Sequence, residues 1–204
     1  NRFPYDSIVS GGPPKDGIPA LTNPVFIGPS FVEYLRSDDL ILGVVINGEA
    51  RAYPHNIGWW HEIVNDTVGG VPVLVSYCPL CNSGVVYDRR VDGQAVAFGN
   101  TGRIRHADMV MYDHATESWW QQFTGEGIVG GFTGAQLTII PSRVEPFGLF
   151  AAAFPDADIL QRPPGFPRNY GVNPYDSYDT SDAPLFPGIP LPEGIAPMAY
   201  VVAV

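Results

Sequence analysis

The side chains most able to do chemistry are concentrated between Trp59 and Arg89. This stretch contains both cysteines of the chain, Cys78 and Cys81, spaced as Cys-Pro-Leu-Cys, and the histidine of a Trp-His-Glu sequence, His61. Thiolate and imidazole ligands together select copper, zinc or iron, whereas sites built only from oxygen atoms suit magnesium or calcium. The residue types in this stretch therefore predict a transition-metal site.

A Cys-x-x-Cys pair provides only two ligands, and a closed zinc site needs four. The sequence has no second pair of this kind, so histidines must complete the set. We predict His61, Cys78 and His106 as the first ligands and Cys81 as the fourth. Two imidazoles and one thiolate favour copper, and the addition of Cys81 makes zinc acceptable as well. We expect copper in preference to zinc.

Three further residues are predicted to surround the metal without binding it: Glu62, Asp113 and Trp60. Carboxylates in such positions orient ligating histidines through hydrogen bonds. Core packing is the alternative for Trp60, because large aromatic side chains are usually buried. For Asp66 and Asp108 we expect only helix caps or surface charges.

Two other interpretations use the same cysteines. A free cysteine often packs in the core as a small apolar side chain, which accounts for Cys78 without a metal. A Cys-x-x-Cys pair also performs thiol redox chemistry in thioredoxin-like enzymes, where it opens a helix whose dipole lowers the thiol pKa. Here a proline and a turn lie next to strands, so that helix is missing. No catalytic residue and no substrate is assigned.

The cysteines are predicted to lie where a buried strand ends. Residues 71–77 are apolar at nearly every position and rich in β-branched valine, as in a strand covered on both faces, and Pro79 stops that strand. Asn47-Gly48 is a strong hairpin signal between strands at 40–46 and 49–53. A second hairpin is predicted from 84–90 and 94–98, with strands at 109–113, 119–123 and 137–140 and short helices at 31–35, 55–64 and 147–154. The predicted fold class is mainly β, an antiparallel sandwich or distorted barrel with a few short helices.

The ends of the chain differ in composition from its centre, because much of the proline and glycine lies there. We expect an extended N-terminal arm at 1–30, a β-rich core domain at 31–160, and a wrapping arm at 161–204 that ends in an apolar strand at 198–204. Such a strand must pair with a sheet edge. If that edge belongs to another copy, the arms build a homo-oligomer or a filament. This structural role is our alternative hypothesis, and it is compatible with a metal in every subunit.

Charge argues against nucleic acid as a partner. The net charge is −10, and Lys15 is the only lysine, whereas binding to a duplex requires basic residues that neutralise phosphates. No apolar run approaches the roughly 20 residues of a membrane span, so no transmembrane segment is expected. The chain begins at Asn1 instead of methionine, which predicts a mature form after removal of a signal peptide. Asn65-Asp66-Thr67 fits the glycosylation sequon.

Several sequence motifs of the chain resemble those of a known family. They are IVSGGPPKDGIPAL at 8–21, GEARAYP at 48–54, WHEIVNDTVGGVPV at 60–73, YCPLCNSGVVYDR at 77–89, MVMYDHATESWWQQFTGEGIVG at 109–130 and RNYGVNPYDSYDT at 168–180. In this order they are similar to the bacterial and archaeal proteins grouped as domain of unknown function 3179. The resemblance implies an exported protein, located in the periplasm, at the cell surface or outside the cell.

The same resemblance bears on individual residues. It implies that His61 and Cys78 are shared with family members. It also implies that threonine can replace Cys81, which argues against a required disulfide between Cys78 and Cys81. Arginine is more usual at the position of His114, so the resemblance does not support a ligand role for that histidine.

Overall fold

The computed structural model describes residues 3–186, 188 and 190–199. Its strands in chain order are β1 (Ile8–Ser10), β2 (Leu21–Thr22), β3 (Phe26–Ile27), β4 (Leu40–Ile46), β5 (Glu49–Pro54), β6 (Ile63–Val68), β7 (Val71–Cys78), β8 (Ser83–Asp88), β9 (Arg90–Val91), β10 (Gln94–Ala95), β11 (Phe98–Arg105), β12 (Asp108–Asp113), β13 (Trp119–Gln121), β14 (Gly127–Val129), β15 (Thr138–Ile140), β16 (Ser142–Pro146) and β17 (Asp158–Leu160). The α-helices are α1 (His55–His61) and α2 (Phe147–Ala153), and short 3-10 turns lie at Tyr5–Ser7 and Pro29–Phe31. As predicted, these residues include no helix with the length and apolar character of a membrane span.

Within the described residues, the strands form three five-stranded sheets and a two-stranded ribbon. Sheet A has the order β1-β11-β12-β13-β14, sheet B the order β15-β8-β7-β6-β2, and sheet C the order β16-β4-β5-β17-β3. Neighbouring strands are antiparallel except β2 on β6 and β17 on β5. The prediction of a mainly β, antiparallel fold with short helices is confirmed, and one sheet curls into a half-barrel.

The hairpin predicted at Asn47-Gly48 is confirmed. Both residues have positive φ, 51° and 86°, and this turn geometry matches the right-handed twist of the flanking strands. β4 and β5 therefore pair along nearly their whole length. The second predicted hairpin is shorter than expected: its turn at Asp92-Gly93 joins only β9 to β10, because β8 pairs with β7 and β15 instead.

The helix predicted over 55–64 ends earlier, at His61. Glu62 takes a positive φ of 57°, and the β-branched residues after it form β6 against β7. That pairing buries Ile63 completely, so tertiary pairing overrides the helical spacing. The helix predicted over 31–35 is wrong, since the structure has a 3-10 turn at Pro29–Phe31 followed by extended chain. The helix predicted over 147–154 forms as α2.

The segments predicted as arms lie against the core domain of the same chain. In the N-terminal segment, β1 pairs with β11, β2 with β6 and β3 with β17. The described residues after Leu160, here called the C-terminal arm, contain no helix and no strand. Arg168 in this arm donates a hydrogen bond to the carbonyl oxygen of Gly17 (3.1 Å). Most of the strand predicted for 198–204 lies outside the described residues.

Asn65 joins sheet B to sheet A through two hydrogen bonds. Its side-chain Nδ2 donates to the Phe98 carbonyl oxygen (2.8 Å), and its Oδ1 accepts from the Phe98 N–H (2.7 Å). Cys78 lies in the same apolar core, packed with Phe98 and Met109. Because Asn65 is buried and hydrogen-bonded on both side-chain atoms, the sequon is not accessible to glycosylation in the folded chain.

The close contact between the N-terminal segment and β11 gives a first prediction. Gly102 has a φ of +70° at a bulge in β11, and a Cβ there would clash with the Pro13 carbonyl oxygen. Gly102→Ala is therefore expected to lower the free energy of unfolding by about 2 to 4 kcal/mol in urea denaturation. Gly12→Ala is the matched control, because Gly12 also has positive φ but a Cβ there meets nothing within 4 Å. Equal losses in the two variants would contradict a role for the Pro13 contact.

Candidate functional site

Two sulfur atoms and one carboxylate meet where β7 ends. Cys78 is the last residue of β7, Cys81 lies in the turn that follows, and Asp108 begins β12. The two Sγ atoms and a carboxylate oxygen of Asp108 all lie within 4.8 Å of one another. In the part of the chain that the structure describes, no other group of three or more His, Cys, Asp or Glu side chains is this compact. We call these three residues the sulfur cluster.

The turn between β7 and β8 brings the second sulfur next to the first. Pro79 cannot donate a ladder hydrogen bond, which ends β7. Asn82 takes a positive φ of 48°, a conformation that asparagine tolerates better than most residues. Cys78 then pairs with Ser83 across the turn. Both cysteines are free thiols, with Cys78 buried and Cys81 exposed.

Hydrogen bonds hold both carboxylate oxygens of Asp108. Oδ1 accepts from the Cys81 thiol, whose sulfur is 3.4 Å away. Oδ2 accepts from the backbone N–H of Phe123 (3.0 Å) and from the side-chain amide of Gln121. The Cys81 sulfur also lies 3.0 Å from the Ser83 hydroxyl oxygen. The carboxylate is therefore fixed in orientation, with Oδ1 facing a sulfur atom.

The sulfur cluster gathers acidic groups without a paired cation. Burial raises the pKa of the Cys78 thiol well above its usual value, and the neighbouring Cys81, Asp108 and Glu62 raise it further. Burial also raises the pKa of Asp108. Among the described residues, neither Asp108 nor Glu62 forms an ion pair. A bound cation would reverse these pKa shifts, because an opposite charge favours the ionised form of each group.

Glu62 is a buried carboxyl group directly after α1. Its Oε1 accepts a hydrogen bond from the Tyr175 hydroxyl (3.1 Å), and its Oε2 accepts one from the Asn100 amide. Burial raises its pKa to about 7, the two hydrogen bonds oppose that shift, and the charge of Asp108 adds to it. Glu62 therefore changes protonation near neutral pH, and its charge acts on Cys78.

Neither predicted histidine ligand joins the sulfur cluster. His61 is completely buried, and both ring nitrogens have hydrogen-bond partners: the Pro19 carbonyl oxygen lies 2.8 Å from Nδ1, and the Tyr170 hydroxyl lies 2.7 Å from Nε2. His106 lies in the turn between β11 and β12, with a φ of 55°, and is not part of the compact group. Of the four predicted ligands, the structure therefore brings Cys78 and Cys81 together, and it places neither His61 nor His106 with them.

The residues predicted to surround the metal differ in their contacts. Asp113 accepts hydrogen bonds from the backbone at 115–116 and from Trp120 Nε1 (3.0 Å), so it stabilises the turn after β12. Trp60 is half-buried and packs against the apolar core of sheets B and C. Of these three residues, Glu62 is the one whose charge raises the pKa of the Cys78 thiol.

Asp108 is the member of the sulfur cluster that the sequence did not reveal. The expectation of a cap or surface role is wrong, because Asp108 is buried. Its position depends on the pairing of β12 with β11 and β13 and on the packing of sheet A against sheet B, which no local pattern encodes. The one local signal is the polar Arg-His-Ala-Asp stretch at 105–108 immediately before an apolar strand.

Three tyrosines of the C-terminal arm form hydrogen bonds to the end of α1 and to the turn between β7 and β8. Tyr170 bonds to His61 and Tyr175 to Glu62, as described above. The hydroxyl of Tyr178 donates to the carbonyl oxygen of Leu80 (3.1 Å). Leu80 lies in the turn between Cys78 and Ser83, here called the cysteine turn. The C-terminal arm thus contacts the end of α1 and the cysteine turn together.

The fold and the site define a mainly β protein with a dithiol and a carboxylate at the junction of two sheets, partly covered by a Pro-rich arm. The chain belongs to the family described as protein of unknown function (DUF3179), whose model matches residues 15–204. No curated protein and no solved structure matches the chain.

Proposed function

We propose that the protein binds a transition-metal ion through Cys78, Cys81 and Asp108, and that it does so outside the cytoplasm. The observation that carries this proposal is the compact donor set, with two sulfur atoms and a carboxylate oxygen within 4.8 Å of one another. Among the described residues Asp108 forms no ion pair, and a bound cation would favour the ionised forms of Cys78 and Asp108, whose pKa values are raised. The location outside the cytoplasm rests on the family resemblance.

The donor set favours zinc over copper. The preference for copper depended on two imidazoles at one thiolate, and neither histidine contributes to the sulfur cluster. Zinc accepts thiolate and carboxylate ligands together. Three protein ligands also leave a fourth position for water or a substrate, as in catalytic zinc sites.

Equilibrium dialysis of the full chain against zinc, and separately against copper(I), tests this proposal. Wild-type protein is expected to retain about one equivalent of zinc. Cys81→Ser is expected to lose it, with little effect on folding because Cys81 is exposed. His106→Asn is the matched control, since His106 is a predicted ligand outside the cluster and asparagine tolerates its positive φ. Retained metal in Cys81→Ser, or its loss in His106→Asn, would overturn the assignment of ligands.

A second candidate function is thiol and disulfide exchange by the same two cysteines. It is favoured by one observation: the two sulfurs lie within 4.8 Å, one exposed and one buried. In that reaction both thiols lose a proton and together give two electrons to a disulfide substrate, which leaves as two thiols. Equilibration with glutathione buffers followed by thiol counting would show a reversible two-electron couple, whereas a metal site alone would not.

Self-association through the arms remains the alternative structural role. Apolar side chains stay exposed in the C-terminal arm at Leu185, Leu191 and Ile195, and exposed apolar groups favour association. Sedimentation velocity over a range of protein concentrations tests it: a monomer at every concentration would rule this role out.

A further inference from the structure

A surface cleft lies apart from the sulfur cluster and shares no lining residue with it. Its volume is about 380 Å³, within the range of pockets that hold small molecules. One wall is the N-terminal segment 10–15, and the other contains Arg103, Tyr112 and Trp119. The bulge at Gly102 allows the N-terminal segment to approach β11 closely, so the cleft is a product of that contact.

Two aromatic side chains line the cleft. Tyr112 of β12 and Trp119 of β13 are direct cross-strand partners, and such partners lie side by side on one face of a sheet. Tyr112 is held in place by a hydrogen bond from its hydroxyl to Asp16 (2.7 Å). Tyr112 is buried, with Lys15 over its ring and His114 stacked on it, so it forms the floor of the cleft. Trp119 is only half-buried, and its ring gives the cleft an apolar surface of the kind on which a planar ring or the C–H face of a sugar packs.

Two cations border the same aromatic surface. Arg103 is exposed, its guanidinium carbon lies 5.8 Å from the centre of the Trp119 ring, and its side chain forms no ion pair or hydrogen bond with any described residue. Lys15 Nζ lies 3.9 Å from the centre of the Tyr112 ring and pairs with Glu117. That pair is exposed on both sides, so it is weak and readily exchanged for a ligand. Because Glu117 pairs with Lys15, Arg103 is the cation of the cleft that has no anionic partner among the described residues.

We propose that the cleft binds a carboxylate carried on a ring, as in a sugar acid or an aromatic acid. The guanidinium of Arg103 matches a carboxylate through two parallel N–H donors. The half-buried ring of Trp119 receives the face of the ligand ring. Lys15 adds a second positive charge at the opposite wall. This binding function is independent of a metal at the sulfur cluster.

Titration of the ¹⁵N-labelled full chain, followed by NMR, tests the proposal with glucuronate and benzoate as probes. The Trp119 indole N–H is expected to shift in a saturable way with one of the two acids, with a Kd on the order of 1 mM or tighter. Glucose lacks the carboxylate and acetate lacks the ring, so each is expected to bind at least about ten-fold more weakly. The acid that saturates the site identifies the ligand as a sugar acid or an aromatic acid.

Two arginine variants separate the cleft from general charge effects. Arg103→Gln is expected to weaken binding of the acid by about ten-fold or more, because the variant loses the charge-assisted hydrogen bonds between the guanidinium and the carboxylate. Arg143→Gln removes an exposed arginine from β16, away from the cleft, and should leave binding unchanged. The absence of a saturable shift with both acids, or equal affinities in wild type and Arg103→Gln, would overturn the proposal.

Discussion

Asp108→Asn is expected to weaken zinc binding on the order of 100-fold or more while the chain remains folded. The substitution replaces a charged ligand by a neutral amide of the same shape. The amide oxygen can keep the position of Oδ2, where it accepts from Phe123 N–H and Gln121. The amide nitrogen then faces Cys81. The loss of affinity should therefore come from the missing ligand and not from unfolding.

Isothermal titration with zinc measures this effect, and Asp92→Asn provides the control. Asp92 is exposed in a tight turn with a positive φ of 49°, which asparagine tolerates. The control should bind zinc as wild type does. Wild-type affinity in Asp108→Asn would remove Asp108 from the ligand set and leave a site with the two sulfurs alone.

Zinc affinity of the wild-type protein should rise with pH, because each thiol must lose a proton to bind. The raised pKa of Cys78 places its deprotonation above the usual thiol range in the metal-free protein. Affinity measured between pH 6 and 8 is therefore expected to increase steadily, with proton release on binding. Affinity that does not change with pH would exclude Cys78 as a thiolate ligand.

Glu62→Gln is expected to stabilise the metal-free protein above neutral pH by up to about 3 kcal/mol relative to wild type. The pKa of Glu62 rises from 4.5 to about 7 on folding because the group is buried. Folded wild-type protein therefore binds more protons than unfolded protein between these pH values. The contribution of Glu62 to stability is complete below pH 4.5 and is lost as pH rises through 7.

Glutamine at position 62 does not ionise, so the variant avoids this loss. Urea denaturation of both proteins from pH 4.5 to 8 should show a stability difference that grows up to pH 7 and is then constant. Glu33→Gln, at an exposed glutamate, should show no such growth. A difference that is the same at all pH values would contradict the raised pKa. Saturating zinc should reduce the pH dependence of the difference between Glu62→Gln and wild type, because a nearby cation lowers the pKa of the Glu62 carboxyl group.

Local sequence signals were sufficient for the elements that depend on neighbouring residues. The turn at Asn47-Gly48 and the strand that stops at Pro79 follow from backbone preferences alone. The two cysteines share a four-residue turn, so their proximity also follows from the sequence. In these places the structure agrees with the prediction because nothing distant is involved.

Long-range packing determined what the sequence could not predict. Asp108 reaches the sulfurs only because β12 lies in a sheet packed on β7, thirty residues earlier in the chain. His61 looked like a ligand from its type and its neighbours, yet its two nitrogens bond to Pro19 and Tyr170, which come from the two ends of the chain. The local sequence does not distinguish a histidine that bridges two distant segments from one that binds a metal.

The tyrosine contacts of the C-terminal arm impose an order of events on biosynthesis. Tyr170, Tyr175 and Tyr178 bond to groups 109, 113 and 98 residues earlier in the chain. A ribosome releases the sheets before it releases these tyrosines, so the nascent thiols are open to solutes until translation reaches the end. After the arm docks, Tyr175 and Tyr178 lie beside the buried Cys78 and the turn that follows it, whereas Cys81 remains exposed. The order of synthesis should therefore govern access to Cys78, while Cys81 stays accessible in the folded chain.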